Sequence, residues 1–189
     1  MMDKKFRVGI VGCGNIFPMH AYPVNAIEAC ELVAVCDIKE DRAKAKAEEF
    51  GCHYYLDYQE MIAKENLDVL HCCTPHYMHP PITIYALEHG VNVLTEKPMS
   101  IEYKDTVAMV ETAERCKKTL GVIFQNRYNP GSQLAKKVLE SGELGKVLGA
   151  KMNVTWMRTD DITPRAIGRG RGTRKAAASS STRPSIPLT

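Results

Sequence analysis

Short apolar, β-rich runs alternate with segments of helical composition along the first two thirds of the chain, and this alternation constrains the fold more than any single motif. The runs are FRVGIVG (6–12), LVAVCD (32–37), DVLHCCTP (68–75), VNVLTEKP (91–98) and LGVIFQ (120–125). Their apolarity is nearly unbroken, the pattern of strands buried on both faces of a parallel sheet. Between them, residues 15–28, 40–50, 58–65, 79–89 and 102–118 have helical composition, with Gly51 and Gly90 placed to stop two of these helices. Strand–helix alternation of this kind implies right-handed βαβ units and a doubly wound α/β sheet of Rossmann type.

From Asn129 the texture changes. NPGSQLAKKVLESGELG reads as a helix opened by Pro130 and stopped near Gly142. In KVLGAKMNVTWMR, the partial alternation of Val147, Met152, Val154 and Trp156 predicts a strand with one exposed face. The expected organisation is a first, doubly wound α/β domain over residues 1–126, the start of a second α+β sheet domain over 127–161, and a basic, disordered tail over 162–189.

Charge supports that division. Six of the 25 cations lie in residues 162–189, which hold no acid. The remaining 19 face 22 acids, so the first 161 residues are net −3, an argument against a nucleic-acid-binding body. The N-terminal MMDKKFRVGIVG has no signal-peptide pattern and no apolar run is long enough to span a bilayer, which places the expectation in the cytoplasm. Seven cysteines without a CxxC point to buried thiols rather than a zinc site or a disulfide framework.

Two stretches carry chemistry. VGIVGCGNIF sets Gly12 and Gly14 directly after the first strand, with Asn15 and Ile16 leading into the helix. In a dinucleotide-binding unit the first glycine makes the tight turn and the second lets backbone approach a pyrophosphate at the helix N-terminus. Phe17 stands where that pattern has a small residue. Asp37 ends the next strand, placed either to accept from an adenosine ribose or to cap the strand end, and its charge favours NAD, with Lys39 nearby leaving NADP open. In LTEKPMS, Glu96, Lys97 and Pro98 fall at the carboxyl edge of the sheet, where α/β proteins bind ligands. A lysine fixed there by a following proline is a candidate for a buried amine beside a substrate, against the ordinary solvated lysine. His76 and His79 in CTPHYMHPP suggest a cleft-lining loop, or more plainly a Pro-rich turn with exposed histidines, rather than a metal pair, since no carboxylate or thiol pattern completes a site.

Taken together, GIVGCGNI, AVCDI, CTPHYMH, LTEKP and GVIFQNRYNP resemble the glucose–fructose oxidoreductase/inositol dehydrogenase/MocA family of NAD(P)-dependent oxidoreductases, over about residues 5–161. The resemblance implies that Lys97 lies beside the nicotinamide and the reacting hydroxyl or carbonyl, with a cis Lys97–Pro98 peptide. It implies that Thr74, Pro75, His79 and Glu96 line the cofactor cleft and that Gln125, Asn126 and Arg127 form its far wall. It implies hydride exchange between the nicotinamide and a sugar or cyclitol-like substrate, and pairing of subunits through a second, sheet-based half.

That resemblance also bears on the tail, GRGRGTRKAAASSSTRPSIPLT. After TWMR such proteins commonly carry Glu-Gly-Gly-Gly, apolar residues, Asn/Asp-Gln and a proton-transferring His. Joining the third base of each tail codon to the first two of the next permits the string EGGGVLINQAIHTLD from Lys175 to the end. It also permits Tyr-Tyr at Ile162–Thr163, and Trp at Gly168 and Gly172. The expectation is a one-base frameshift from about residue 162, leaving a cofactor-binding half that binds NAD weakly and turns over little. The rival expectations are an NAD-binding module whose basic tail touches nucleic acid through phosphate charge, and, more remotely, an S-adenosylmethionine-dependent methyltransferase, in which LTEKP would have no role.

Overall fold

The computed structural model describes residues 5–153. Six parallel strands form one sheet: β1 (Phe6–Val11), β2 (Cys30–Cys36), β3 (His53–Tyr55), β4 (Val69–Cys72), β5 (Asn92–Thr95) and β6 (Leu120–Val122). The helices are α1 (Phe17–Ala26), α2 (Glu40–Phe50), α3 (Tyr58–Glu65), α4 (His79–Glu88), α5 (Tyr103–Cys116) and α6 (Pro130–Glu140). The strand order β3-β2-β1-β4-β5-β6 is that of a doubly wound dinucleotide-binding sheet, and it reverses between β1 and β4.

Two apolar layers flank the sheet, and the period-2 alternation of each strand decides which layer a side chain enters. Val8 and Ile10 of β1 and Val35 of β2 pack with Phe17, Ala21 and Val24 of α1 and Ala47 of α2. Val11, Leu70, Cys72 and Val93 point to the opposite layer, against Met61, Ile82, Leu87 and Ala113 of α3, α4 and α5. His71, between Leu70 and Cys72, is thereby turned toward α1.

The predicted alternation stands, with one strand beyond it. β3 is a three-residue edge strand, too short for a periodic pattern in HYY to stand out. Phe17 also finds its explanation. It is fully buried at the first turn of α1 and meets Phe50 of α2 edge-on at 5.6 Å, so its bulk fills the α1–α2 layer. The helix opened by Pro130 forms as expected. Residues 146–153 form no strand: a strand needs a hydrogen-bonded neighbour, and none pairs with them among the described residues. The remainder of that predicted strand, and the whole 162–189 tail, lie outside the described residues.

Candidate functional site

The reversal of strand order leaves a crevice above β1 and β4. Gly12, at the end of β1, takes φ +102°, and a Cβ there would sit 2.6 Å from the Cys73 carbonyl oxygen. Only glycine therefore lets the loops after β1 and β4 touch. The Gly12 N–H donates to the Cys36 carbonyl at 2.7 Å, and the Cys13 N–H donates to Asp37 Oδ2 at 2.9 Å. Asp37 Oδ1 accepts from the Lys39 N–H at 2.9 Å. Of the two roles considered for Asp37 the contacts carry the cap: its carboxylate closes the strand end and ties β2 to the glycine turn, with further lone pairs on each oxygen. A Cβ on Gly14 would meet nothing within 4 Å.

Beside this turn lies an open cavity of ≈ 620 Å³, walled by Gly14 and Asn15 and by Asp41, Arg42 and Lys46 of α2, two cations against one carboxylate. Arg42 and Lys46 are one helical turn apart on α2, next to the buried Ala43 and Ala47 that dock the helix. Sequence reading passed over both cations, whose i, i+4 spacing beside those buried alanines was the available signal.

The second part of the site follows β5. Glu96 is nearly buried, at 9% exposure, and its N–H donates to the Cys72 carbonyl at 3.0 Å. Its Oε1 accepts from His20 Nε2 of α1 at 3.1 Å, and its Oε2 accepts from the Lys97 N–H at 3.1 Å. Burial pushes the Glu96 carboxyl up. The His20 hydrogen bond and charge, with the Lys97 amide and ammonium, outweigh that push and hold it below the usual carboxylate value. The Lys97–Pro98 peptide is cis, as expected.

His79 differs from expectation. It is fully buried at the start of α4, with Nδ1 2.8 Å from the Pro98 carbonyl oxygen and Nε2 2.9 Å from the Thr74 carbonyl oxygen. Both ring nitrogens face backbone, so the imidazole stands behind the cleft wall and joins the loop after β4 to the turn after β5. Glu96 is likewise turned inward, toward His20. Lys97 is exposed, not a buried amine, because it projects from the open edge of the sheet. Thr74 is half-buried, with Oγ1 3.3 Å from Cys72 Sγ, and Pro75 is exposed beside it. Gln125, Asn126 and Arg127 lie exposed on a single turn following β6 at the same carboxyl edge, the Arg127 guanidinium 5.3 Å from the Phe124 ring centroid.

Two further groups escaped the sequence reading. His20 is buried behind Glu96, and its Nδ1 lies 3.2 Å from Nδ1 of His71. Burial, and then the charge of His20, lower the His71 pKa to about 4. Among the described residues no cluster of three His, Cys, Asp or Glu side chains could hold a metal ion, and no helix is long and apolar enough to cross a membrane.

Comparison with known proteins agrees with this geometry. The profile of the GFO_IDH_MocA family, described as an oxidoreductase family with an NAD-binding Rossmann fold, matches residues 6–124. The chain is 32% identical over 148 residues to the glucose-6-phosphate 3-dehydrogenase of Bacillus subtilis, covering 78% of this chain and 41% of that protein. It is 29% identical over 141 residues to the myo-inositol 2-dehydrogenase of Thermotoga maritima, covering 74% and 42%. Among solved structures, the WlbA dehydrogenase of Chromobacterium violaceum, in complex with NADH and UDP-GlcNAcA, superposes with a TM-score of 0.84 at 34% identity, covering 90% of this chain and 50% of that one. The chain thus spans half, or less than half, of the length of these proteins.

Proposed function

The chain belongs to the GFO_IDH_MocA oxidoreductase family, whose NAD-binding Rossmann fold it carries, and from that premise we propose that it is built for hydride transfer between a nicotinamide and a hydroxyl or carbonyl carbon of a sugar or cyclitol. The observation that supports this most directly is the placement, along the carboxyl edge of one parallel sheet, of the Gly12–Gly14 turn closed by Asp37 and of the turn that presents Lys97.

The residues present fit NAD. Gly14 leaves open space where a Cβ would otherwise project, so a pyrophosphate can lie against loop backbone. The backbone of Asn15 and Ile16, at the N-terminus of α1, faces the same phosphates. Arg42 and Lys46 add positive charge beside that space. Asp37 is positioned for the adenosine ribose hydroxyls and repels a 2′-phosphate. When bound, NAD supplies the hydride acceptor or donor. Lys97 Nζ hydrogen-bonds the reacting oxygen and exchanges a proton with it. Thr74 and Pro75 after β4, and Gln125, Asn126 and Arg127 after β6, flank the nicotinamide end, while His79 and Glu96 hold the wall from behind.

In this reading residues 1–126 are the cofactor domain and 127–161 open a second sheet domain. Residues from about 162 onward we read in a shifted frame. The experiment is to resequence the gene across the codons for Thr159 to Ile162 and to assay the product of a frame restored by one base. With NAD and a panel of sugars and cyclitols, the restored protein is expected to produce NADH and its Lys97→Ala variant to lose nearly all turnover. A restored protein that produces no NADH across the panel, or an alternative frame that closes within a few codons, contradicts the proposal.

A further inference from the structure

Three ionisable side chains from three separate elements meet on the α1 side of the sheet. His71 of β4 touches His20 of α1 through their Nδ1 atoms at 3.2 Å, the rings edge to face at 5.2 Å between centroids. His20 donates through Nε2 to Glu96, and Glu96 in turn accepts from the amide of Lys97. Of two facing Nδ1 atoms one must donate and the other accept, so His71 fixes which way the His20 ring is turned. In either arrangement His20 keeps its Nε2 proton on Glu96. Burying such a group is costly in desolvation, and apolar side chains of equal volume would fill the space without that cost. The network therefore contributes orientation more than stability.

We propose that His20, backed by His71, is a positioning residue for Lys97, acting through the Glu96 carboxylate that it holds across the Lys97 amide. The chain His71–His20–Glu96–Lys97 fixes the peptide from which the ammonium departs, on the side of α1. His79 fixes the other end of the same turn from α4, through the Pro98 carbonyl. Lys97 is thus braced at both of its neighbours while its own side chain stays exposed. The inference rests on the reading of Lys97 as the lysine that meets the reacting oxygen.

Amide hydrogen exchange in the full, ¹⁵N-labelled chain tests it. In His20→Leu the Glu96 carboxylate loses its anchor, and the Lys97 amide is expected to exchange at least about tenfold faster. The amides of Glu96 and Ile123, bonded to the Cys72 and Thr95 carbonyls, should keep their rates. His20→Gln, whose carboxamide can still donate to Glu96, should restore protection. His71→Leu should accelerate Lys97 less than His20→Leu does. Should the leucine variant lose its dispersed spectrum, His20→Asn, polar but too short to reach Glu96, replaces it with the same expectation. An unchanged Lys97 rate in a folded variant, or equal acceleration of all three amides, overturns the proposal. A parallel NADH titration separates this from the dehydrogenase reading: a wild-type chain that binds no NADH refutes that reading, whereas the exchange pattern alone decides the brace.

Discussion

The amide of Cys13 donates to the carboxylate of Asp37 at 2.9 Å, so the side chain at the end of β2 closes the glycine turn at the end of β1. On the proposed reading the same carboxylate also sets cofactor choice. Asp37→Ala then removes the acceptor for the adenosine ribose hydroxyls, a contact worth about 1.5–3 kcal/mol. NADH affinity should fall roughly tenfold to a hundredfold by that measure, and the preference for NADH over NADPH should shrink with it. Fluorescence titration with both nucleotides checks this, and an unchanged preference would remove Asp37 from the ribose site.

Gly12 and Gly14 answer to different demands. Gly12→Ala forces a Cβ to 2.6 Å from the Cys73 oxygen at a φ of +102°. It should cost on the order of 2–4 kcal/mol, seen as a lower thermal midpoint. Gly14→Ala meets nothing in the protein, so it should leave the melting curve nearly unchanged while weakening NADH binding. Undiminished NADH binding by Gly14→Ala would mean that the space beside Gly14 is not reserved for a ligand.

Acid should destabilise the fold through two identified groups. Burial pushes the Glu65 carboxyl up, but hydrogen bonds from Tyr55 and His53 and the charges of His53 and Arg7 outweigh it and hold it below its usual value. Its contribution is complete above the ordinary carboxylate range and is lost as pH falls through the depressed folded value. His71, lowered from 6.5 to about 4, stays neutral where the unfolded chain already takes up a proton. Stability therefore declines as pH falls from 6.5 toward 4, by roughly 2–4 kcal/mol for this group. Urea titrations across this range should show a shallower decline in His71→Phe. Glu65→Gln should cost about 1–3 kcal/mol at neutral pH by leaving its partners poorly paired. A decline of the same steepness in His71→Phe would rule out that histidine as its source.

The seven thiols are all free, and five of them are poor nucleophiles. Burial first, with nearby negative charge, pushes Cys13 and Cys36 up to about 12. Cys52 rises to about 11, and Cys72 and Cys73 are raised by burial. Half-buried Cys30 and Cys116 should be alkylated first in the native protein, Cys52, equally half-buried but with its pKa raised to about 11, more slowly, and buried Cys13, Cys36, Cys72 and Cys73 only on unfolding. Peptide mapping after brief alkylation reads this order directly, and early labelling of Cys13 would contradict it.

The α/β alternation, the glycine turn, Asp37 and the turn carrying Lys97 were legible because each is local: a run of apolar residues, a spacing, a proline after a lysine. β3 was not, since three residues on a sheet edge leave no period to read. His20 and His71 were missed for a different reason. His71 looks like an odd residue in an apolar run, and its meaning depends on strand alternation bringing it to a helix 51 residues earlier. The fully buried position of His79 was equally hidden, because both carbonyls that hold it come from backbone, which no side-chain pattern announces. Arg42 and Lys46 look like ordinary helix-surface cations until α2 is docked beside Gly14.

NADH binding by the full 189-residue chain, followed by nicotinamide fluorescence with Asp37→Ala in parallel, tests the central claim most directly. Saturable binding that weakens in the variant is the predicted result. No saturation at millimolar NADH, or identical curves for the two proteins, would contradict the assignment of this sheet edge as a nicotinamide cofactor site.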